Sequence, residues 1–272
     1  MQHFPIILPV FQRAIHIGPL VIHFYALAYI IGLLIGWRLV RYLASRPPVA
    51  ATAEQVDDFL TWATLGIILG GRLGYVLFYQ PGYFFTHPQQ IIAVWDGGMS
   101  FHGGCLGVTA AIIWFCRKNR INILAFADRI AVAVPIGLFL GRCANFINGE
   151  LWGRPAPAWF PLAMVYPEAG PMPRYPSELI EACLEGVTLF ILMLLASRSE
   201  DRRRRAGTLA GLFMLGYGIA RITGEFFREP DPFLGFLPFG TTMGQLLSIP
   251  MVIAGACLIW YAGTRPRLAS QA

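Results

Sequence analysis

The chain has 272 residues, of which 56% are apolar and only 13% charged, and its mean hydropathy is +0.57. A soluble globular domain carries about 25% charged residues, so an ordinary water-soluble domain is excluded and a multi-span helical membrane protein is indicated. The net charge of +6 calls for no nucleic-acid partner, because membrane topology can account for where the basic residues fall.

Residues 1–18 hold Pro5, Pro9 and Arg13 among apolar residues and read as an interfacial lead-in, with a short helix lying on the membrane. They lack the basic start and small-residue cleavage site of a signal peptide, so the first apolar run is expected to remain as a span. Seven apolar runs follow, at about 20–37, 59–79, 101–116, 124–146, 179–197, 208–223 and 240–262. The predicted fold is an all-α integral membrane protein of seven transmembrane helices with structured outer-face loops. A single domain over 1–272 is expected, since no repeat or soluble module is evident.

Basic residues set the orientation. Arg38, Arg41 and Arg46 follow the first run; Arg117, Lys118 and Arg120 follow the third. Arg198 and the run 202–205 follow the fifth, and Arg265 and Arg267 follow the seventh. These are 13 of the 21 basic residues, against Arg13, Arg154, Arg174 and Arg228 on the other side. The positive-inside rule puts the N-terminus outside and the C-terminus in the cytoplasm, with loops 80–100, 147–177 and 224–239 facing outward. Gly66, Gly70 and Gly74, and again Gly103 and Gly107, recur every four residues and predict close helix packing. Five cysteines without a CxxC pair give no sign of a metal site or disulfide framework.

Four arginines remain inside apolar runs: Arg72, Arg129, Arg142 and Arg221. A charge at such depth is costly unless it faces a polar cavity or a partner, and a positively charged cavity suits an anionic ligand. Arg129 beside Asp128 reads as an internal ion pair, and Arg72 can line the cavity.

Three constellations carry chemistry. In SFHGG, 100–104, His102 opens the third run, where a neutral imidazole could accept a proton or serve structure alone. In GRCANFINGELWG, 141–153, Arg142 and Asn145 share a helical face. Gly149 supplies a turn that can send Glu150 back toward the cavity; the set could hold a polar headgroup or simply cap a helix. In YGIARITGEFFREPD, 217–231, Tyr217, Arg221 and Glu225 are four apart, with Arg228 three further on. Opposite charges at that spacing can pair and orient the guanidinium forks. Weaker features are His23 with Tyr25 in the first run, and Glu178, Glu181 and Glu185 in the fifth. That carboxylate stripe could form a proton or cation path, or neutralise the interior arginines. An anion transporter or a lipid scaffold remains open at this level, although no paired repeat of broken helices is visible.

HGG at 102–104, GRxxNFxNxE at 141–150 and YGxxRxxxExxREPD at 217–231 together resemble the prolipoprotein diacylglyceryl transferase family. IHFYALAY, 22–29, and GQLLSIPM, 244–251, resemble its first and last spans, and the likeness keeps motif order over nearly the whole chain. The resemblance implies an inner-membrane enzyme that moves a diacylglyceryl group from phosphatidylglycerol to the lipobox cysteine of a prolipoprotein, just after its signal peptide. The products would be a thioether and glycerol phosphate. It implies that His102, Arg142 and Arg221 are principal residues, supported by Tyr25, Asn145, Glu150, Gly153, Tyr217, Glu225 and Arg228. Neither cofactor nor metal is expected. The partners implied are phosphatidylglycerol, the prolipoprotein and the surrounding membrane lipids.

The chemistry suits those residues. Two arginines can bind an anionic phosphate and stabilise charge on the departing oxygen. A thiol reacts as thiolate, so His102 is a candidate to take its proton, while the arginine field could instead lower the thiol pKa directly. Gly224, beside Glu225, is less apolar than expected there and could loosen its helix.

Overall fold

The computed structural model describes residues 6–9, 11, 14–18, 20–157, 159–230 and 235–269. Pro5, Arg13 and Asp231 lie outside the described residues. Among those described, seven long helices form the body: α1 Phe24–Ala44, α2 Ala53–Phe78, α3 Phe101–Lys118, α4 Ile123–Asn148, α5 Ser177–Arg198, α6 Thr208–Gly224 and α7 Met243–Thr264. Five of them, α1, α2, α4, α5 and α7, are long and apolar enough to cross a membrane. α3 has 18 residues and α6 has 17. The chain is an all-α, multi-pass membrane protein. Apolar side chains such as Leu34, Leu69, Leu77, Leu192 and Trp260 point outward, as expected where acyl chains replace water as the solvent.

Helix starts follow local chemistry. Thr52 and Gln55 form a capping box on α2, as do Thr242 and Gln245 on α7. Ser100 and Asn122 accept backbone N–H bonds at the starts of α3 and α4. Asp128, a turn inside α4, caps a different helix: its carboxylate accepts from the backbone N–H of Gly207 at 2.9 Å and of Ala210 at 2.7 Å, where α6 begins. Arg129 donates to the carbonyls of Leu43 and Pro48. Asp128 and Arg129 remain electrostatic neighbours, as expected, but their hydrogen bonds go separately to backbone that would otherwise be unsatisfied in an apolar interior.

The glycine seams join antiparallel neighbours. A Cβ on Gly107 would lie 2.0 Å from the Gly66 carbonyl oxygen, and one on Gly103 2.3 Å from that of Gly70. α2 and α3 thus touch backbone to backbone, as the four-residue spacing predicts. Gly211 and Gly255 do the same for α6 and α7. In α5, residues Ala182–Thr188 form a π-helical turn, and Gly186 there lets Phe139 of α4 approach.

Two apolar cores lie toward the basic end of the bundle. One gathers Val40, Val56, Phe59, Phe115, Phe126 and neighbours from α1 to α4; the other gathers Leu43, Val132, Leu189, Met193 and Leu209. The opposite, loop-rich end carries a small cap. There β1, Ile6–Ile7, pairs in parallel with a strand at Met164–Val165, labelled β4, and Leu8, Met164 and Tyr166 pack beneath. β2, Ala14–Ile17, and β3, Leu20–His23, form an antiparallel hairpin through Gly18. This corrects the expected interfacial helix over 1–18 and moves the start of the first span from residue 20 to Phe24.

Arg72 has another task than lining a cavity. It is 6% exposed and donates to the carbonyls of Gln90, Ile91, Gly97 and Gly98. It clamps the loop that enters α3 just ahead of His102. Gly97 and Gly98 both have positive φ there, and a Cβ on Gly98 would lie 2.5 Å from the Tyr75 ring. Arg72→Met, of similar length but without donors, should lower the midpoint of thermal unfolding in detergent by several degrees and expose loop 80–98 to limited proteolysis. The lost bonds leave partly buried carbonyls without this donor, each at no more than about 1–3 kcal/mol.

Candidate active site

At the loop-rich end, α4, α5 and α6 converge on a group of buried charges. Arg142 comes from the last turns of α4. Glu181 and Glu185 are one turn apart on α5, and Arg221 and Glu225 one turn apart at the end of α6. Arg142 reaches Glu181 at 2.8 Å and Glu185 at 2.9 Å. Arg221 reaches Glu181 at 2.7 Å and also pairs with Glu225. Arg228 lies 3.7 Å from Glu181. Glu225 further accepts from the Thr242 hydroxyl at 2.6 Å. Pairing of this kind offsets the desolvation of charges that could not be buried singly.

Two glycines make room for the acids. A Cβ on Gly224 would stand 3.1 Å from Glu181 Cγ, and one on Gly244 would stand 2.3 Å from Glu225 Oε1. Gly224, read from sequence as a loosening of its helix, is thus a recess for a carboxylate. Gly153 serves a related purpose. Its N–H donates to the Tyr175 carbonyl at 3.0 Å, and a Cβ there would lie 2.4 Å from that oxygen and 2.6 Å from the Phe227 carbonyl. It locks loop 149–176 onto the chain leaving α6, a junction completed by Arg154 donating to the carbonyls of Arg228 and Glu225.

The other predicted residues fall at varying distances from this group. Tyr217, one turn before Arg221, lies within electrostatic reach of Arg142, Arg221 and both acids of α5. Asn145 is 5% exposed, and its amide makes no hydrogen bond among the described residues. Tyr25 contacts Tyr29 with ring centroids 5.1 Å apart, and Tyr29 lies near both Arg142 and Cys105. These neighbours bring residues of α1, α3 and α4 together. His102 stands one turn before Cys105, exposed, with its ring against Phe101. It makes no ion pair with the arginine group among the described residues. Gly149 does take the left-handed turn, with φ 67°. Glu150 is nevertheless exposed and accepts from Asn148 at 2.6 Å, beside the charged group instead of within it. His23 precedes α1 and is exposed.

Glu181 and Glu185 are what the site reading left out. The i, i+3, i+7 stripe signalled them, and neutralising the arginines was one of its two readings. The third acid, Glu178, is fully buried and accepts from the Tyr166 hydroxyl at 3.0 Å. Burial, and then the adjacent carboxylate, push the Tyr166 phenol above its usual range. No group of three or more His, Cys, Asp or Glu suited to a metal ion occurs among the described residues.

Arg142 and Arg221 each keep 15% of the side chain exposed although their acids keep 4% or less. A guanidinium has five N–H donors, and the two hydrogen bonds that Arg142 makes to Glu185, with its ion contact to Glu181, leave donors over. The acids are sealed and the arginines reachable, so the group presents positive charge outward. It can bind an anion with two planar forks.

The model of the prolipoprotein diacylglyceryl transferase family matches residues 12–261. The chain belongs to the prolipoprotein diacylglyceryl transferase family. It is 66% identical over 249 residues to the phosphatidylglycerol--prolipoprotein diacylglyceryl transferase of Acidiphilium cryptum, covering 91% of this chain and 90% of that protein. It is 62% identical over 252 residues to the enzyme of the same name from Gluconacetobacter diazotrophicus, covering 93% and 90%. Against that of Gluconobacter oxydans it is 57% identical over 267 residues, covering 98% and 97%. The match to the family model spans the whole buried charge group.

Proposed function

We propose that this protein is a phosphatidylglycerol--prolipoprotein diacylglyceryl transferase. It moves an sn-1,2-diacylglyceryl group from phosphatidylglycerol to the lipobox cysteine thiol of a prolipoprotein, forming a thioether and releasing glycerol phosphate. The observation that carries the site assignment is the pair Arg142 and Arg221, braced on one carboxylate and reachable from the loop-rich end. The donor phosphate binds this pair, and Arg228 adds positive charge. Attack at the terminal glycerol carbon breaks C–O instead of P–O, and the arginines stabilise the charge gathering on the departing phosphate. Tyr217, Asn145 and Tyr25 contact the lipid headgroup. Gly153, Glu225 and Glu150 support the walls.

His102 takes the thiol proton. It stands on the turn of α3 before Cys105, which shares Tyr29 as neighbour with Arg142, and this supports setting the base near the arginines. The thiol comes from the acceptor, and no enzyme cysteine is needed. All seven long helices are taken as spans and the chain as one transferase unit in the bacterial inner membrane. α6, at about 1.5 Å per residue, is roughly 26 Å long and needs its polar flanks to reach both headgroup layers. The positive-inside count puts the N-terminus and the site outside and the C-terminus in the cytoplasm. The site there meets the outer-leaflet donor and the exported acceptor.

The test is transfer of radiolabelled diacylglyceryl from phosphatidylglycerol to a lipobox peptide by the purified protein. No transfer by folded protein with a sound acceptor would reject the enzyme. His102→Gln should reduce kcat about 10²–10⁴-fold, the range for a general base, with membrane insertion intact. Raised pH should partly restore its rate, because more of the thiol is then already ionised.

A further inference from the structure

We propose that Glu181 is the counter-ion that expels the glycerol phosphate product by taking back the two arginines that hold it. The inference rests on the transfer reaction above. Glu181 is 1% exposed, and its two oxygens are shared out: Oε1 stands 2.7 Å from Arg221, and Oε2 stands 2.8 Å from Arg142 and 3.7 Å from Arg228. One carboxylate thus bridges the pair assigned to the phosphate. Carboxylate and phosphate offer a guanidinium fork the same two-oxygen face, so they compete for it. Oε2 lacks a well-aligned hydrogen bond despite its ion contact, which makes that half of the bridge the easier to open.

Charge counting shows why a competitor is needed. Arg142, Arg221 and Arg228 face Glu181, Glu185 and Glu225, three cations against three carboxylates in direct ion contact. The donor phosphodiester brings one negative charge. In the reaction the C–O bond breaks, a C–S bond forms and the thiol gives up its proton. The phosphate leaves as a monoester carrying about −1.5 to −2 at pH 7. A bare arginine pair would grip that product harder than the substrate and slow each turnover. A carboxylate fixed to α5, and always at high local concentration, recloses the bridge and lowers product affinity. Glu181 acts on the reaction through the arginines and is a positioning residue.

Glu181→Gln keeps the shape and an acceptor oxygen but removes the charge. With full-length protein in detergent, inhibition of transfer by added glycerol phosphate is measured, together with calorimetric binding of glycerol phosphate to lipid-free protein. The variant should bind glycerol phosphate at least tenfold more tightly. Its kcat should fall while KM for phosphatidylglycerol stays level or drops. Unchanged or weaker binding of glycerol phosphate would overturn the proposal, since a brace for the arginines would lose affinity on removal. If Glu181→Gln does not accumulate, Glu185→Gln, which takes one acid from Arg142, should shift product affinity in the same direction by less; no shift there overturns it too. Absence of transfer by the unsubstituted protein would instead reject the transferase reading.

Discussion

Arg221→Ala should lower transfer at least about 10²–10³-fold, the cost of deleting one donor that meets charge developing in a transition state. The loss should appear in kcat/KM, because Arg221 is assigned to both the bound donor and the departing phosphate. The substitution also strips Glu181 and Glu225 of their closest cation, and unpairing a buried ion pair costs about 3–5 kcal/mol. Thermal unfolding in detergent must therefore be followed beside activity. Arg221→Lys separates the two effects: it restores a cation for the acids but not the planar fork, so stability should largely return while activity stays low. Normal turnover by the alanine variant at full stability would defeat the phosphate role.

The second large effect lies away from the chemistry. Gly107→Val should prevent accumulation of folded protein. Its Cβ would fall 2.0 Å from the Gly66 carbonyl oxygen, and both obstacles are helix backbone, which no rotamer change can clear. Overpacking a core costs about 1–3 kcal/mol when side chains can shift; here α2 and α3 must part along their seam. Detergent-solubilised yield and size-exclusion behaviour are the measurements. Gly263→Ala, at a helical glycine with nothing within 4 Å of the added carbon, should be tolerated and is the control.

Much of the fold was legible because a bilayer restricts the options. Apolar runs give the long helices with ends displaced by up to seven residues (37 against Ala44 in α1), and the Gly66–Gly70–Gly74 spacing gives the α2–α3 seam. Arg142 and Arg221 stood out as charges in apolar stretches, and the pairing of Arg221 with Glu225 followed from their spacing of four. The N-terminal hairpin was missed although AIHI and LVIH flank a Gly-Pro turn signal. A short apolar run reads as strand or helix with equal ease, and closeness to the first span favoured helix. Arg72 was misplaced because a buried arginine looks alike in sequence whether it meets a ligand or four loop carbonyls. Glu181 was seen but not assigned to the site, since its role depends on three helices meeting at one point. Helical periodicity within α5 carries no information about that.

The π-helical turn in α5 has a consequence for that meeting point. Above it stand Glu178, bonded to Tyr166, and Glu181, aimed at arginines; below it stand Leu189 and Met193, aimed at an apolar core. One residue of α-helix is about 100° of rotation, and a π-bulge works as one inserted residue. The helix therefore carries two compass bearings, one for its charged half and one for its oily half. Each is set independently of the other's packing. Deleting one residue within Ala182–Thr188 would force a single bearing on both halves and swing Glu181 through about a quarter turn, carrying the acid away from the gap between Arg142 and Arg221.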